Sequence, residues 1–230
     1  MSERILKALI QLFALVALPS KEAESRRRIV QSFLQQQLSQ QLTQEYLSLF
    51  DKIYQEHVER INKSEHLFKR RSAVSVKILK ITSDINEELS YYQKLIVIIQ
   101  LFEFLNISGT VSDIELEFVD TVALSFNIKK EEFLLIRDFI LAENQLNGRI
   151  IVSGEKNEKE SYSKKIYWDN FDGEIHFLHI QSINLFIFKH ANSSELLMNG
   201  QLLSPNRIYI MHPGSSLRNK KVVPIYYSDI

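Results

Sequence analysis

The chain of 230 residues has no cysteine. Disulfides, thiolate nucleophiles and Cys-ligated zinc or iron–sulfur centres are therefore excluded, as befits a reducing compartment. It also lacks an excess of charge of either sign. Lys+Arg and Asp+Glu number 28 each, for a formal net charge of +0. Such a chain has no long-range field to gather nucleic acid or an anionic membrane. The basic runs Arg26-Arg27-Arg28, Lys69-Arg70-Arg71 and Lys220-Lys221 read as solvated faces, so no nucleic-acid partner is expected. No apolar run is as long as a membrane-spanning helix. No Gly-rich loop ends in Gly-Lys-Ser/Thr, and neither Gly-x-Ser-x-Gly nor His-Glu-x-x-His occurs. The expectation is a non-enzyme without a cofactor.

Glycine and proline are scarce, and their placement is uneven. Through Gly148 the chain has two glycines, Gly109 and Gly148, and one proline, Pro19; the other four glycines and three prolines follow. The first stretch is rich in Leu, Ile, Gln, Glu and Lys, which is helical composition. The second shows short apolar runs between turn pairs, which is strand composition. The fold class expected is α+β: an all-α bundle over residues 1–147, then a small antiparallel β module over residues 148–230. The module reads as truncated at its apolar end, Tyr226-Tyr227-Ser228-Asp229-Ile230.

The helical part reads as about seven helices. The first, Glu3 to Leu18, has Arg4 and Lys7 ahead of the apolar run Ala8 to Leu18, in the manner of a secretory signal. Its apolar residues Ile5, Leu6, Leu9, Leu12, Phe13 and Val16 also fall at helical spacing, which makes it a core helix. A second helix turns Ile29, Val30, Phe33 and Leu34 inward. A third starts near Leu42 with Thr43 as cap and aligns Tyr46, Leu47, Phe50, Ile53 and Tyr54. A fourth includes Val74, Val76, Ile78, Leu79 and Ile81. The fifth, Tyr91 to Leu105, is apolar nearly all round and is expected at the centre. Ser112 and Glu115 form a capping box for the sixth, and the seventh runs from Lys129 to Leu146.

The first and fifth helices share a tetrapeptide. Ile10-Gln11-Leu12-Phe13 returns as Ile99-Gln100-Leu101-Phe102, at an offset of 89. At that offset Ile29 meets Phe118, Val30 meets Val119, Phe33 meets Val122, Leu47 meets Ile136 and Phe50 meets Phe139. The spacing predicts a duplicated three-helix unit in a pseudo-symmetric bundle. It also favours the core reading of the first helix, whose counterpart is internal to the chain.

The second copy is the clearer one: Leu101-Phe102-Glu103-Phe104-Leu105, Ile107 to Glu115, Phe118-Val119, Phe126-Asn127-Ile128 and Glu131-Glu132-Phe133. It resembles the tellurite-resistance (TerB-like) domain, whose pattern has an Ala-Asp-Gly loop, then a small polar residue and a Glu. Gly109, Ser112 and Glu115 match that frame, whereas Asn106 and Ser108 stand where acidic residues belong, and the first copy, Leu18-Pro19-Ser20-Lys21, departs further. The resemblance implies a divalent-cation site near the acidic loop. Asp113 and Glu117 are its weak candidates, but carboxylates in a first helical turn also serve the helix dipole, and the depleted loops favour no metal. His176 and His179 fall on opposite faces of a strand, which is wrong for chelation.

In the β part, Ile150 to Val152, Glu174 to Ile180, Asn184 to Lys189 and Arg207 to Met211 read as strands, and Glu155 to Lys165 as a charged loop. Asn199-Gly200 is a strong hairpin signal. With Pro213-Gly214-Ser215-Ser216-Leu217-Arg218 it resembles the closing strands of forkhead-associated domains. Those domains read phosphothreonine through an Arg and a Ser in earlier loops; the matching Gly-Arg and Ser-x-x-His pair does not occur here, so phosphopeptide recognition does not carry over. Ser215, Ser216 and Arg218 are candidates for an anion-binding turn, the bland alternative being an ordinary turn. Tyr226 and Tyr227 are candidates for docking to a protein partner or a following domain, the alternative being one compact β core.

A TerB-like domain followed by these β motifs also resembles the N-terminal region of a large bacterial ABC-transporter ATP-binding protein. That resemblance implies a non-catalytic regulatory or docking segment, an ATPase beyond residue 230, a cytoplasmic location and peripheral association with a membrane transporter. The alternative is a free-standing stress-response protein with weak metal-dependent association.

Overall fold

The computed structural model describes residues 3–18, 23–35, 38–63, 67–107, 109–141, 149–154, 164–191, 195–220 and 223–230. The chain forms two compact units, Met1–Leu141 and Ala142–Ile230. The first is helical and the second is built of strands, as expected. The boundary expected at residues 147–148, and most of the charged loop, lie outside the described residues.

Among the described residues the helical unit has α1 (Glu3–Val16), α2 (Ala23–Gln35), α3 (Gln40–Lys63), α4 (Leu67–Asn86), α5 (Tyr91–Asn106), α6 (Asp113–Ser125) and α7 (Lys130–Leu141). α5 is the central helix: Leu95, Val97, Ile98, Ile99, Leu101, Phe102, Phe104 and Leu105 are all buried. Around Phe104 the core is aromatic. Phe13 meets it edge-on at 5.2 Å between centroids, Phe50 at 6.3 Å, and Phe33 lies 5.7 Å from Phe13. Edge-on rings match positive edge to negative face, which gives such a cluster preferred geometry as well as buried area.

The offset of 89 reappears as geometry. α1, α2 and α3 map onto α5, α6 and α7, and α4 stands between the two triads. Paired positions are buried together: Leu12 and Leu101, Phe13 and Phe102, Val30 and Val119, Leu47 and Ile136, Phe50 and Phe139. One pair is charged. Arg26 and Glu115 are equivalent at the same offset, and they form an ion pair at 2.9 Å. They are 2% and 3% exposed. Glu115 spends both oxygens. Oε1 accepts from Arg26 Nη2 and from the Leu18 amide at 3.0 Å. Oε2 accepts from the Ser112 amide at 3.0 Å and the Ser112 hydroxyl at 2.9 Å. Arg26 Nη1 donates to the Leu18 carbonyl at 3.1 Å, and the guanidinium lies 5.8 Å from the Phe104 ring centroid.

The basic run Arg26-Arg27-Arg28 is therefore not one solvated face. Arg26 lies on the inward stripe with Ile29, Val30, Phe33 and Leu34. Arg27 forks onto Asp51 of α3 at 2.8 and 2.9 Å, and only Arg28 is exposed. Two further details differ from the sequence reading. Thr43 does not cap α3; it is buried, and the Ser39 hydroxyl accepts the Leu42 amide at 3.5 Å. The apolar run of α4 also divides. Val74, Ile78 and Ile85 are buried, while Val76 and Leu79 face out.

The β unit has a five-stranded sheet, in order β2 (Lys164–Tyr167), β1 (Arg149–Ser153), β3 (Glu174–Ile180), β4 (Leu185–Ala191) and β7 (Tyr209–Met211). A second sheet orders β6 (Gln201–Leu202), β5 (Leu197–Met198), β8 (Ser216–Arg218) and β9 (Ile225–Tyr226). Among the described residues all pairings are antiparallel except β1 with β2. Asp172-Gly173 thus does not close a hairpin between neighbouring strands, because β1 lies between β2 and β3. Asn199-Gly200 does close one, with φ of 51° and 87°, the paired positive values of a tight hairpin turn. Both sheets contribute to one core that includes Val152, Trp168, Ile175, Phe177, Phe188, Leu217 and Ile225. Trp168 stacks on Phe171 at 4.6 Å and donates its indole N–H to the Val223 carbonyl at 2.7 Å.

Two stability predictions follow from these cores. Removing one partner of a buried ion pair leaves a buried charge and typically costs about 3–5 kcal/mol, whereas replacing both by apolar groups is far milder. Arg26→Met should lower the urea-unfolding free energy of the helical unit by about that range, and Arg26→Met with Glu115→Leu by less than either single change. At Gly154 a Cβ would overlap the Phe171 carbonyl oxygen. Gly154→Ala should therefore destabilise the β unit by on the order of 2 kcal/mol or more in the same measurement, through backbone displacement rather than lost packing.

Candidate functional site

A groove of about 470 Å3 runs between α1 and α3. Leu6 on α1 and Leu38, Leu42, Tyr46 and Leu49 on α3 and its approach supply the apolar lining. Leu42, Tyr46 and Leu49 recur at helical spacing on one side of α3, and Leu38 just precedes that helix. Leu42 is 41% exposed although its neighbours Tyr46 and Leu47 are buried. The rim holds Glu3, Lys7 and Glu45. Lys7 is bound to Glu3 at 2.6 Å, one helical turn away. That contact lowers the Glu3 carboxyl below its ordinary range and raises the Lys7 ammonium. Burial raises the Tyr46 phenol, and the charge of Glu3 adds to the shift.

The repeat explains which apolar side chains the bundle needs, and this stripe is not among them. At the offset of 89, Leu38, Leu42, Tyr46 and Leu49 correspond to Asn127, Glu131, Leu135 and Asp138. Three of those are polar, yet the second triad packs α7 against α5 as the first packs α3 against α1. The apolar stripe is an addition to the repeated core.

The residues singled out from sequence take other places. Among the described residues no three His, Asp or Glu side chains converge to hold a metal ion. Asp113 and Glu117 are exposed on α6, while Glu115 between them turns inward to Arg26. Ser215 and Ser216 do not present free amides to an anion. The Ser215 N–H donates to the His212 carbonyl and the Ser216 N–H to Asn199 Oδ1, both at 2.9 Å. Arg218 is exposed on β8. Tyr226 and Tyr227 separate: Tyr226 is exposed, whereas Tyr227 meets Phe186 edge-on at 5.3 Å and donates to the Asn184 carbonyl. His176 lies 3.2 Å from Glu174, and His179 bonds Asn184 and stacks on Phe186. The groove itself could have been found in the sequence, from the one apolar stripe that the repeat does not reproduce.

No helix of the described residues is long and apolar enough to cross a membrane. No family model, no curated protein and no solved structure matches the chain.

Among the described residues of the helical unit, the strongly displaced titration is that of His57 on α3. Burial, then the Lys77 ammonium on α4 and the Arg60 guanidinium, pull its pKa down to about 4 against a backbone hydrogen bond at Ala17. In the unfolded chain a histidine titrates near 6.5. Between those values the unfolded state takes up a proton that the native state refuses. Stability is thus full above pH 6.5 and falls as pH drops through the window, by about 3 kcal/mol in all. Urea unfolding followed by helical circular dichroism should show this decline, and His57→Leu should flatten it. An unchanged slope in that variant would exclude His57 as its source.

Proposed function

We propose that this chain is a non-catalytic docking segment whose helical unit receives an apolar side-chain row of a partner in the α1–α3 groove. The observation that carries the reading is the stripe of Leu38, Leu42, Tyr46 and Leu49, which lines an open groove and is polar at three of its four equivalent positions in the second triad. A volume of about 470 Å3 is within the range of specific binding clefts. Apolar floors with charged rims accept one face of an amphipathic helix, with anchors at i, i+4 and i+7. The resemblance to the N-terminal regions of ABC-transporter ATP-binding proteins gives the reading a setting, in which the segment docks in the cytoplasm beside a membrane transporter. The exposed Tyr226 belongs to the other unit and supports no reading of its own.

A 15-residue helical peptide of leucine and lysine, with leucines on one face, is a suitable probe. Titrated into the dilute full chain, it should shift backbone amide resonances of α1 and α3, with a Kd in the range of about 1–100 µM. Leu42→Asp, at a half-exposed position, should weaken the peptide by about tenfold or more without loss of helicity. Absence of shifts at about 1 mM peptide, or shifts confined to other helices, would refute the groove as a docking site.

A further inference from the structure

α4 is the helix outside both triads, and its charge is one-sided. By sequence, Lys69, Arg70, Arg71, Lys77 and Lys80 stand against Asp84 alone, in a chain whose charges cancel only when α4 is counted. Its inward stripe is Val74, Ile78, Thr82 and Ile85, all buried. Its outward side carries Val76 at 64% and Leu79 at 45% exposure, with the exposed Lys80 beside them. Two aliphatic side chains at i, i+3 lie next to one another on a helix surface. Nothing in the bundle requires them there, because the helix already has a complete buried face. Burial and the neighbouring Arg60 lower the Lys77 ammonium from its ordinary value, against the pull of Glu56.

The α1–α3 groove has the opposite character. Its floor is apolar, and its rim holds two carboxylates, Glu3 and Glu45, against one cation that Glu3 already binds. The two surfaces match in both respects that govern association, apolar side chains for an apolar floor and a basic helix for an acidic rim. We propose that the occupant of the groove is a second copy of this chain, which inserts Val76 and Leu79 of α4 beside Leu42 and sets Lys80 against Glu45. This rests on the docking reading above and names its partner.

Sedimentation velocity on the full chain tests it. The wild type should self-associate over the range of about 1–200 µM. Raising salt from about 50 to about 500 mM should weaken the association several-fold, since an exposed ionic rim is screened. Leu42→Glu spoils the groove and Val76→Glu spoils the inserted helix. Both positions are exposed, so helicity should be retained, and each variant alone should be monomeric. Mixed in equal amounts they should form a dimer, because the intact helix of the first meets the intact groove of the second. A wild-type chain that stays monomeric to about 200 µM, or a mixture that fails to pair, would overturn the proposal. So would association that neither substitution disturbs. If the chain is monomeric while the leucine–lysine peptide still binds at the groove, the docking reading stands and only the second copy falls.

Discussion

The ion pair between Arg26 and Glu115 is the constraint around which the helical unit is arranged. Burying two charges is costly unless hydrogen bonds replace the lost water. Here the replacement is specific. The Glu115 carboxylate is met by the Arg26 guanidinium, the Leu18 amide and both donors of Ser112, and Arg26 reaches the Leu18 carbonyl. Four segments, the end of the first helix, α2, the approach to α6 and α6 itself, must hold their places together for that set of bonds to exist. An apolar pair would fill the same space but would not select among nearby registers of packing, because hydrophobic contact is non-directional. The same carboxylate completes the capping box of α6, so one side chain starts a helix and joins it to the other triad.

The pair also lies where the two triads meet each other. Arg26 and Glu115 occupy one position of the repeat, read once as a cation and once as an anion. Two identical side chains there would repel if charged, whereas opposite charges at equivalent positions attract. Around them the repeated apolar positions build the shared core, with Phe104 touching Phe13, Phe50 and the guanidinium. Other differences between the triads lie at the surface, as where the exposed Leu42 of the first stands opposite Glu131 of the second. Leu38, Leu42 and Leu49 of the α1–α3 groove and the exposed Val76 and Leu79 of α4 lie outside the repeated pattern. A residue required by packing is explained by packing; an exposed leucine that the sister triad replaces with glutamate is not.

The β unit is organised by turns and by one tryptophan. Asn199-Gly200 fixes the register of β5 and β6, and Asn199 also takes the Ser216 amide, binding the hairpin to β8. Trp168 fastens the segment before β9 to the core through its indole N–H. The backbone amides of Ser215 and Ser216 are thus occupied within the turn and between the hairpin and β8.

By itself the sequence determined the α+β division, the number and order of helices, the centrality of α5, the capping box at Ser112 and the Asn-Gly hairpin. Each depends on residues within a few positions of one another: apolar periodicity, turn conformations that only a few side chains adopt, and a hydroxyl placed to accept a nearby amide. The offset of 89 was legible for the same reason, since it compares local patterns. Tertiary structure alone decided what the charged and borderline residues do. Three consecutive arginines look alike in sequence, yet one is buried on Glu115, one forks onto Asp51 and one meets water, because helix rotation separates them by about 100° each. Val76 and Ile78 are equally apolar, and only the packing of α4 sets one outside and one inside. The parallel pairing of β1 with β2, and the parting of Tyr226 from Tyr227, likewise follow from contacts between distant segments, which no local pattern encodes.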